Sequence, residues 1–256
     1  MLNFEGKLPT TSLLGNEEAC LHRLMREHEF HWFRAESDFV SFEEGPTGKF
    51  VSTWCSQAGD MVAKPSGPNI QNGRFTSVSP WGEMMFQAEM NCGYSVNPIA
   101  STAQRFSLAV IYRSRNCDGR TLCSIAGKSH DNFIFANEFQ GTLSIVDRAG
   151  TIGLNFLTGD TMRRSGLLVF SFDSGCLRAS YNGGVVQEAL GDVPSMGGLA
   201  ELFIGCRNHR KKLAKTLGNL WISDLMYWPD RAILAAEGAE ITAEISAVNE
   251  FWRWAR

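Results

Sequence analysis

The sequence lacks most of the features that would assign it a chemistry. Its 256 residues include only 8 prolines, and no apolar run approaches the ~20 residues needed to cross a bilayer as a helix. The opening stretch MLNFEGKLPTTSLLG has no charged segment leading into an apolar one, so it does not read as an export signal. A formal net charge of −3 provides no global basic field to hold nucleic acid or an anionic membrane. No CxxC pair is present, which leaves a structural zinc site without support. HExxH, GxSxG, Walker A and dinucleotide-binding glycine motifs are all missing. A glycanase of the two-carboxylate type needs both acids on one strand face. Here Glu36 and Asp38 lie near a turn, Glu237 and Glu240 fall in a helical stretch, and Glu201 and Asp224 each stand alone on a strand. These absences predict a protein that is not an enzyme and holds no metal or other cofactor.

What is present is turn chemistry and strand patterning. The 25 glycines punctuate β-rich runs: SLAVIYR (107–113), TLCSIAG (121–127), NFIFANE (132–138), TLSIVDR (142–148), LLVFSFD (167–173), CLRASYN (176–182), AELFIGC (200–206) and NLWISDLMYW (219–228). Strands at this spacing, closed by Gly, Asn and Asp turns, indicate an antiparallel sandwich or barrel. Before them, Asn16 followed by Glu17 and Glu18 starts a helix, and Leu21, Leu24, Met25 and His28 recur at helical spacing. We read an N-terminal arm with a short helix (1–30), a β-sandwich (31–230) and a C-terminal helical segment packed on it (231–256). The N-terminal helix is expected either on the sandwich edge or against a partner. Trp221 alternates with apolar neighbours and is assigned to the core.

Candidate binding residues follow from the irregular segments. Trp81 and Tyr94, in a stretch with few strand signals, are candidates for stacking a sugar ring. Asp131 and Asn132 lie in a loop where side-chain oxygens could meet a ligand; the same residues also serve ordinary turns, and calcium has no further support. The loop RNHRKKLAK (207–215) concentrates charge, and Arg207, His209, Arg210, Lys211 and Lys212 form a candidate contact with an acidic surface. Seven cysteines read as reduced and buried, although Cys117 and Cys123 flank a turn and are candidates for a disulfide.

The order of these segments resembles the LamG-like jelly-roll domains of the concanavalin A-like lectin/glucanase superfamily, as found in tailed-phage virion proteins. HWFRAESDFVSF (31–42) is similar to the opening strand, VSTWCSQAGD (51–60) and KPSGPNIQNGRFTSV (64–78) to the segments that follow. LLVFSFDSGCLRASYNGG resembles the hairpin ending in a Tyr–Asn–Gly turn, and LFIGCR with LGNLWISDLMYWPDRAI resembles the closing strands. Gln57, Ala58, Asp60 and Phe75 depart from the usual residues. The resemblance implies an all-β, antiparallel jelly-roll sandwich with short terminal helices. With no export signal, it also implies a non-catalytic virion protein made in the host cytoplasm: a capsid-decorating, collar or tail-associated subunit. Its partners would be other virion proteins and copies of itself, with weak adhesion to host-surface polysaccharide. The alternative is a carbohydrate-binding adhesin, and a glycan-active enzyme stands third.

Overall fold

The computed structural model describes residues 16–45, 48–66, 74–78, 81–87, 93–96, 99, 103–127, 132–159, 165–191, 199–208, 216–234 and 242–255. Helix α1 (Asn16–His28) leads into β1 (His31–Arg34), β2 (Val40–Gly45), β3 (Gly48–Cys55), β4 (Val62–Pro65), β5 (Arg74–Val78), β6 (Trp81–Met85) and β7 (Tyr94–Val96). The long central strands come next: β8 (Arg105–Ser114), β9 (Arg120–Gly127), β10 (Phe133–Phe139), β11 (Thr142–Asp147), β12 (Gly153–Leu157) and β13 (Gly166–Asp173). The chain finishes with β14 (Cys176–Tyr181), β15 (Gln187–Leu190), β16 (Ala200–Ile204), β17 (Leu220–Pro229) and helix α2 (Ala243–Trp254).

Among the described residues the strands form two antiparallel sheets. One has eight strands in the order β15–β14–β13–β8–β17–β6–β5, with β1 also paired to β17; the other has nine, β12–β11–β10–β9–β16–β7–β4–β3–β2. They face each other as an antiparallel jelly-roll sandwich with a short helix near each end of the chain, the architecture expected from the sequence. The interior is one large apolar cluster to which Trp54, Phe106, Leu108, Ile125, Ile145, Phe170 and Tyr227 belong.

Two kinds of strand pattern have two physical origins. β11 alternates, with Leu143 and Ile145 inward and Thr142, Ser144 and Val146 on the other face, as expected when only one face is covered. β8 and β13 are buried almost throughout, because their outer face is covered too. Leu21 and Leu24 of α1, with Val248, Phe251 and Trp252 of α2, form a second apolar cluster with Ala109, Ile111, Val169, Met226 and Trp228 of the eight-stranded sheet. The N-terminal helix therefore lies over a sheet face beside α2, and not on the sandwich edge.

Polar side chains fix these coverings in place. Ser107 and Ser171 hydrogen-bond each other at 2.7 Å, and their hydroxyls accept the backbone N–H groups of Ile233 and Leu234. Thr242 caps α2 by accepting from the Ile245 N–H. Beneath α1, the nearly fully buried Arg34 pairs with Glu18, lies 2.8 Å from Glu36 and 3.9 Å from Asp224, and sits over the Trp32 and Phe251 rings. Asp224 also accepts the Trp32 indole N–H at 2.9 Å.

Trp221 is not in the core. Leu220 and Ile222 point inward, but the register slips between Ile222 and Asp224, after which Leu225 and Tyr227 are the inward residues. This bulge leaves Trp221 on the outer face, partly exposed, with the Arg113 and Arg115 guanidiniums 5.8 and 5.9 Å from its ring centre. The candidate disulfide between Cys117 and Cys123 is not formed in this structure. β8 and β9 belong to opposite sheets, so the turn between them crosses the sandwich instead of closing a hairpin. Cys117 sits in that turn at φ 52°, while Cys123 is buried in the core, where desolvation pushes its thiol pKa up.

Candidate functional site

The outer face of β9–β12 in the nine-stranded sheet gathers side chains suited to ligand contact. Registry aligns them in rows across the strands, and side chains in one row share a face. The first row joins Phe139, Thr142 and Leu157; the second Asn137, Ser144 and Asn155; the third Phe135, Val146 and Gly153. A strip of amide and hydroxyl groups thus lies between two apolar rows. Leu157 is 88% and Phe139 53% exposed, values that packing does not explain for side chains of this size. Gly153 keeps the third row low: a Cβ there would come within 2.7 Å of Val146 Cγ1.

Arg207 closes the strip. It follows β16 and lays its guanidinium over the Phe135 ring, 3.8 Å from the ring centre. Its Nε donates to Thr121 Oγ1 at 3.2 Å and its Nη2 to Asn137 Oδ1 at 3.0 Å. Thr121 stands opposite Asn137 because β9 carries a bulge, at which the consecutive residues Leu122 and Cys123 both point into the core. Desolvation lowers the Arg207 pKa to about 10, so it remains protonated at neutral pH. Alongside, Ser144 Oγ donates to Asn155 Oδ1 at 2.6 Å.

The residues chosen from the sequence are placed differently. Tyr94 is fully buried, donates its hydroxyl to the Val51 carbonyl at 2.9 Å, and packs edge-on to Trp54 and Phe86. It is a core residue that cannot stack a sugar, because Gly93 leads into a short strand held between β16 and β4. Trp81 begins β6 opposite Val78; its side chain lies outside the described residues. Asn132 is buried, with Oδ1 3.0 Å from the Phe133 N–H, which is turn chemistry. Asp131, His209, Arg210, Lys211 and Lys212 lie outside the described residues. Of the basic loop, Arg207 is the residue placed on the candidate face. Asn137, Ser144 and Asn155 were missed, although their signal was present: they are the polar alternate positions of NFIFANE, TLSIVDR and GLNFL.

The carboxylates deepest in the fold are engaged internally. Glu138, between Asn137 and Phe139, turns inward and is fully buried, accepting from Tyr112 Oη at 3.2 Å and the Gly119 N–H at 3.0 Å. Burial raises the Tyr112 pKa, and the adjacent carboxylate raises it further. Asp147 ends β11 by accepting the N–H groups of Ala149, Thr151 and Ile152 and the Thr151 hydroxyl.

No protein-family model matches this chain, and no curated protein does. Its fold does match solved structures. Domain 4 of AbnA, an extracellular arabinanase from Geobacillus stearothermophilus solved with arabinotriose, aligns over 86% of this chain and 96% of its own, with TM-score 0.54 and 11% identity. Trypanosoma rangeli sialidase aligns over 86% of this chain but only 32% of its own, with TM-score 0.53 and 13% identity. The botulinum neurotoxin serotype D/C binding domain gives 88% and 52%, TM-score 0.51 and 10% identity. Likeness at this level of identity establishes a shared sandwich fold, on which very different functions are built.

Proposed function

We propose that this chain is a non-catalytic carbohydrate-binding module whose ligand lies along the outer face of β9–β12. The observation that carries the reading is the strip Asn137–Ser144–Asn155, exposed at Asn155 and half-buried at the other two, between two apolar rows. Sugars present apolar C–H faces next to hydroxyls, and a surface alternating apolar and hydrogen-bonding rows complements both. Support also comes from fold neighbours that include an arabinanase domain solved with arabinotriose and a toxin binding domain. Because Glu138 faces the core, β10 offers the strip no carboxylate for acid–base chemistry.

The test is calorimetric titration with a panel of neutral and acidic oligosaccharides. Saturable binding to at least one is expected, weakened about 2–10-fold by Asn155→Ala, the cost of one lost hydrogen bond. Saturable binding that ignores Asn155→Ala and Leu157→Ser would move the site elsewhere, and no binding across the panel would reject the function.

A structural role on a particle is the second reading. It would make the chain a self-associating virion subunit, assembled in a host cytoplasm, that uses glycan adhesion as an accessory. What favours it is the pair of sheet edges β12 and β15, which lie against each other and expose Leu157 and Leu190, with Val185 exposed in the connection just before β15; Val185 and Leu190 are each 74% exposed. Unpaired edges with exposed apolar side chains are natural docking surfaces. Light scattering on the purified protein tests it: a defined oligomer that Leu190→Lys converts to monomer supports the reading, and a monomer at all concentrations opposes it.

A further inference from the structure

The fixed guanidinium of Arg207 at one end of this face specifies its ligand more narrowly than "carbohydrate". Asn137 commits its carbonyl oxygen to Arg207, and Asn155 commits its own to Ser144. Each amide keeps both hydrogens of its NH2 group for a ligand, while its oxygen and the Ser144 hydroxyl keep a lone pair to accept with. Arg207 has five N–H groups and uses two within the protein, Nε to Thr121 and one Nη2 hydrogen to Asn137. Both Nη1 hydrogens and the second Nη2 hydrogen remain, and one Nη1 hydrogen with that Nη2 hydrogen forms the end-on fork of the guanidinium. Among the described residues no carboxylate lies within ion-pair distance of Arg207, whereas Arg34, Arg113, Arg178 and Arg231 elsewhere in the fold each have one.

From this strip with a fixed guanidinium at its end that meets no carboxylate among the described residues, we infer that the ligand is an acidic glycan that places a sugar carboxylate on the Nη1/Nη2 fork of Arg207. The inference rests on the carbohydrate-binding reading and names the class of sugar within it. Arginine's planar fork matches a carboxylate with two parallel hydrogen bonds, which a lysine ammonium cannot reproduce. The stacking on Phe135 and the two internal bonds hold the fork in one orientation before the ligand arrives, so little ordering cost remains. A half-buried cation without a counter-ion is also poorly solvated, and an arriving anion removes that deficit. The Asn137 and Asn155 amides then donate to ring or hydroxyl oxygens further along the sugar.

The experiment compares 3′-sialyllactose and trigalacturonic acid, which carry the carboxylate on a sialic and a uronic acid, with lactose and arabinotriose, which carry none. It includes the methyl ester of 3′-sialyllactose on the unaltered protein, so the answer does not depend on a variant that folds. At least one acidic sugar should bind tenfold or more tighter than either neutral one, and esterification should remove that advantage. Arg207→Gln should abolish the preference and Arg207→Lys should lose most of it. Which acidic sugar responds identifies the source of the carboxylate. If neutral sugars bind as well as acidic ones, or the ester binds as well as the acid, this inference fails while the carbohydrate-binding reading stands. Binding to none of the four rejects both.

Discussion

Removing the Arg34 guanidinium should unbalance the layer that fastens the terminal helices to the eight-stranded sheet. Arg34 is 3% exposed, and it faces Glu18 and Asp224, each 4% exposed, with Glu36 nearer solvent. Arg34→Met keeps much of the side-chain volume over Trp32 and Phe251 but leaves two carboxylates buried without their cation. Breaking a buried pair in this way costs about 3–5 kcal/mol. In a chain of this length that corresponds to a fall of about 6–20 °C in thermal midpoint.

The pH dependence separates this cause from lost packing. Burial pushes the Glu18 pKa up, but hydrogen bonding to His22 and the Arg34 charge outweigh it and hold the carboxyl below its ordinary value. Its stabilising contribution is therefore present above that value and lost as pH falls through the folded pKa. Burial raises the Asp224 pKa, and Arg34 offsets only part of that rise. Without Arg34 both acids lose the charge that holds their pKa values down, so both shift upward in the folded state. The deficit of Arg34→Met should then be largest near pH 7 and shrink below about pH 5. Urea unfolding of both proteins at about pH 7 and about pH 4.5 measures this. A loss under about 1 kcal/mol, or one equal at both pH values, would refute the buried-charge account.

Other outcomes follow from single contacts. Gly205→Ala places a Cβ 2.2 Å from Phe86 Cδ1 at a backbone φ of +68°; with Phe86 buried and unable to yield, thermal unfolding should show a loss above about 3 kcal/mol. Tyr112→Phe removes a hydroxyl bonded to the buried Glu138 and should cost about 1–3 kcal/mol by urea denaturation. Burial raises the Asp147 pKa, but the Ile152 and Thr151 hydrogen bonds bring it below 3.8. Asp147→Asn should therefore be less stable than the wild type near neutral pH, with the gap narrowing as the pH falls through 3.8 and below. Because Cys20, Cys55, Cys117, Cys123, Cys176 and Cys206 are all outside disulfides, reductant should leave the thermal midpoint of the monomer unchanged.

The sandwich was legible because burial leaves its period in the strands. The unbroken runs LLVFSFD and SLAVIYR record a sheet covered on both faces, and the alternation in TLSIVDR records one covered on a single face. Trp221 was misjudged for a specific reason. Counting back from the inward pair Leu225 and Tyr227 in steps of two puts Trp221 in the core, and only the bulge between Ile222 and Asp224 reverses it. A bulge adds one residue with no compositional mark, so period alone cannot locate it. Tyr94 illustrates the converse, since a three-residue strand is too short to show a period, and its burial comes from partners distant in sequence. The candidate face was half visible. Arg207 stood out as a charge, whereas Asn137, Ser144 and Asn155 become a strip only through the registry of three strands.

Binding at the β9–β12 face is decided by where a sugar touches the protein. Amide and side-chain NMR spectra recorded during titration with 3′-sialyllactose and trigalacturonic acid give that location residue by residue. Saturable shifts are expected at Asn137, Ser144, Asn155, Leu157 and the Arg207 guanidinium, with the covered face of the eight-stranded sheet silent. Shifts clustered on another surface, or spectra unchanged by either sugar, would contradict binding at that face.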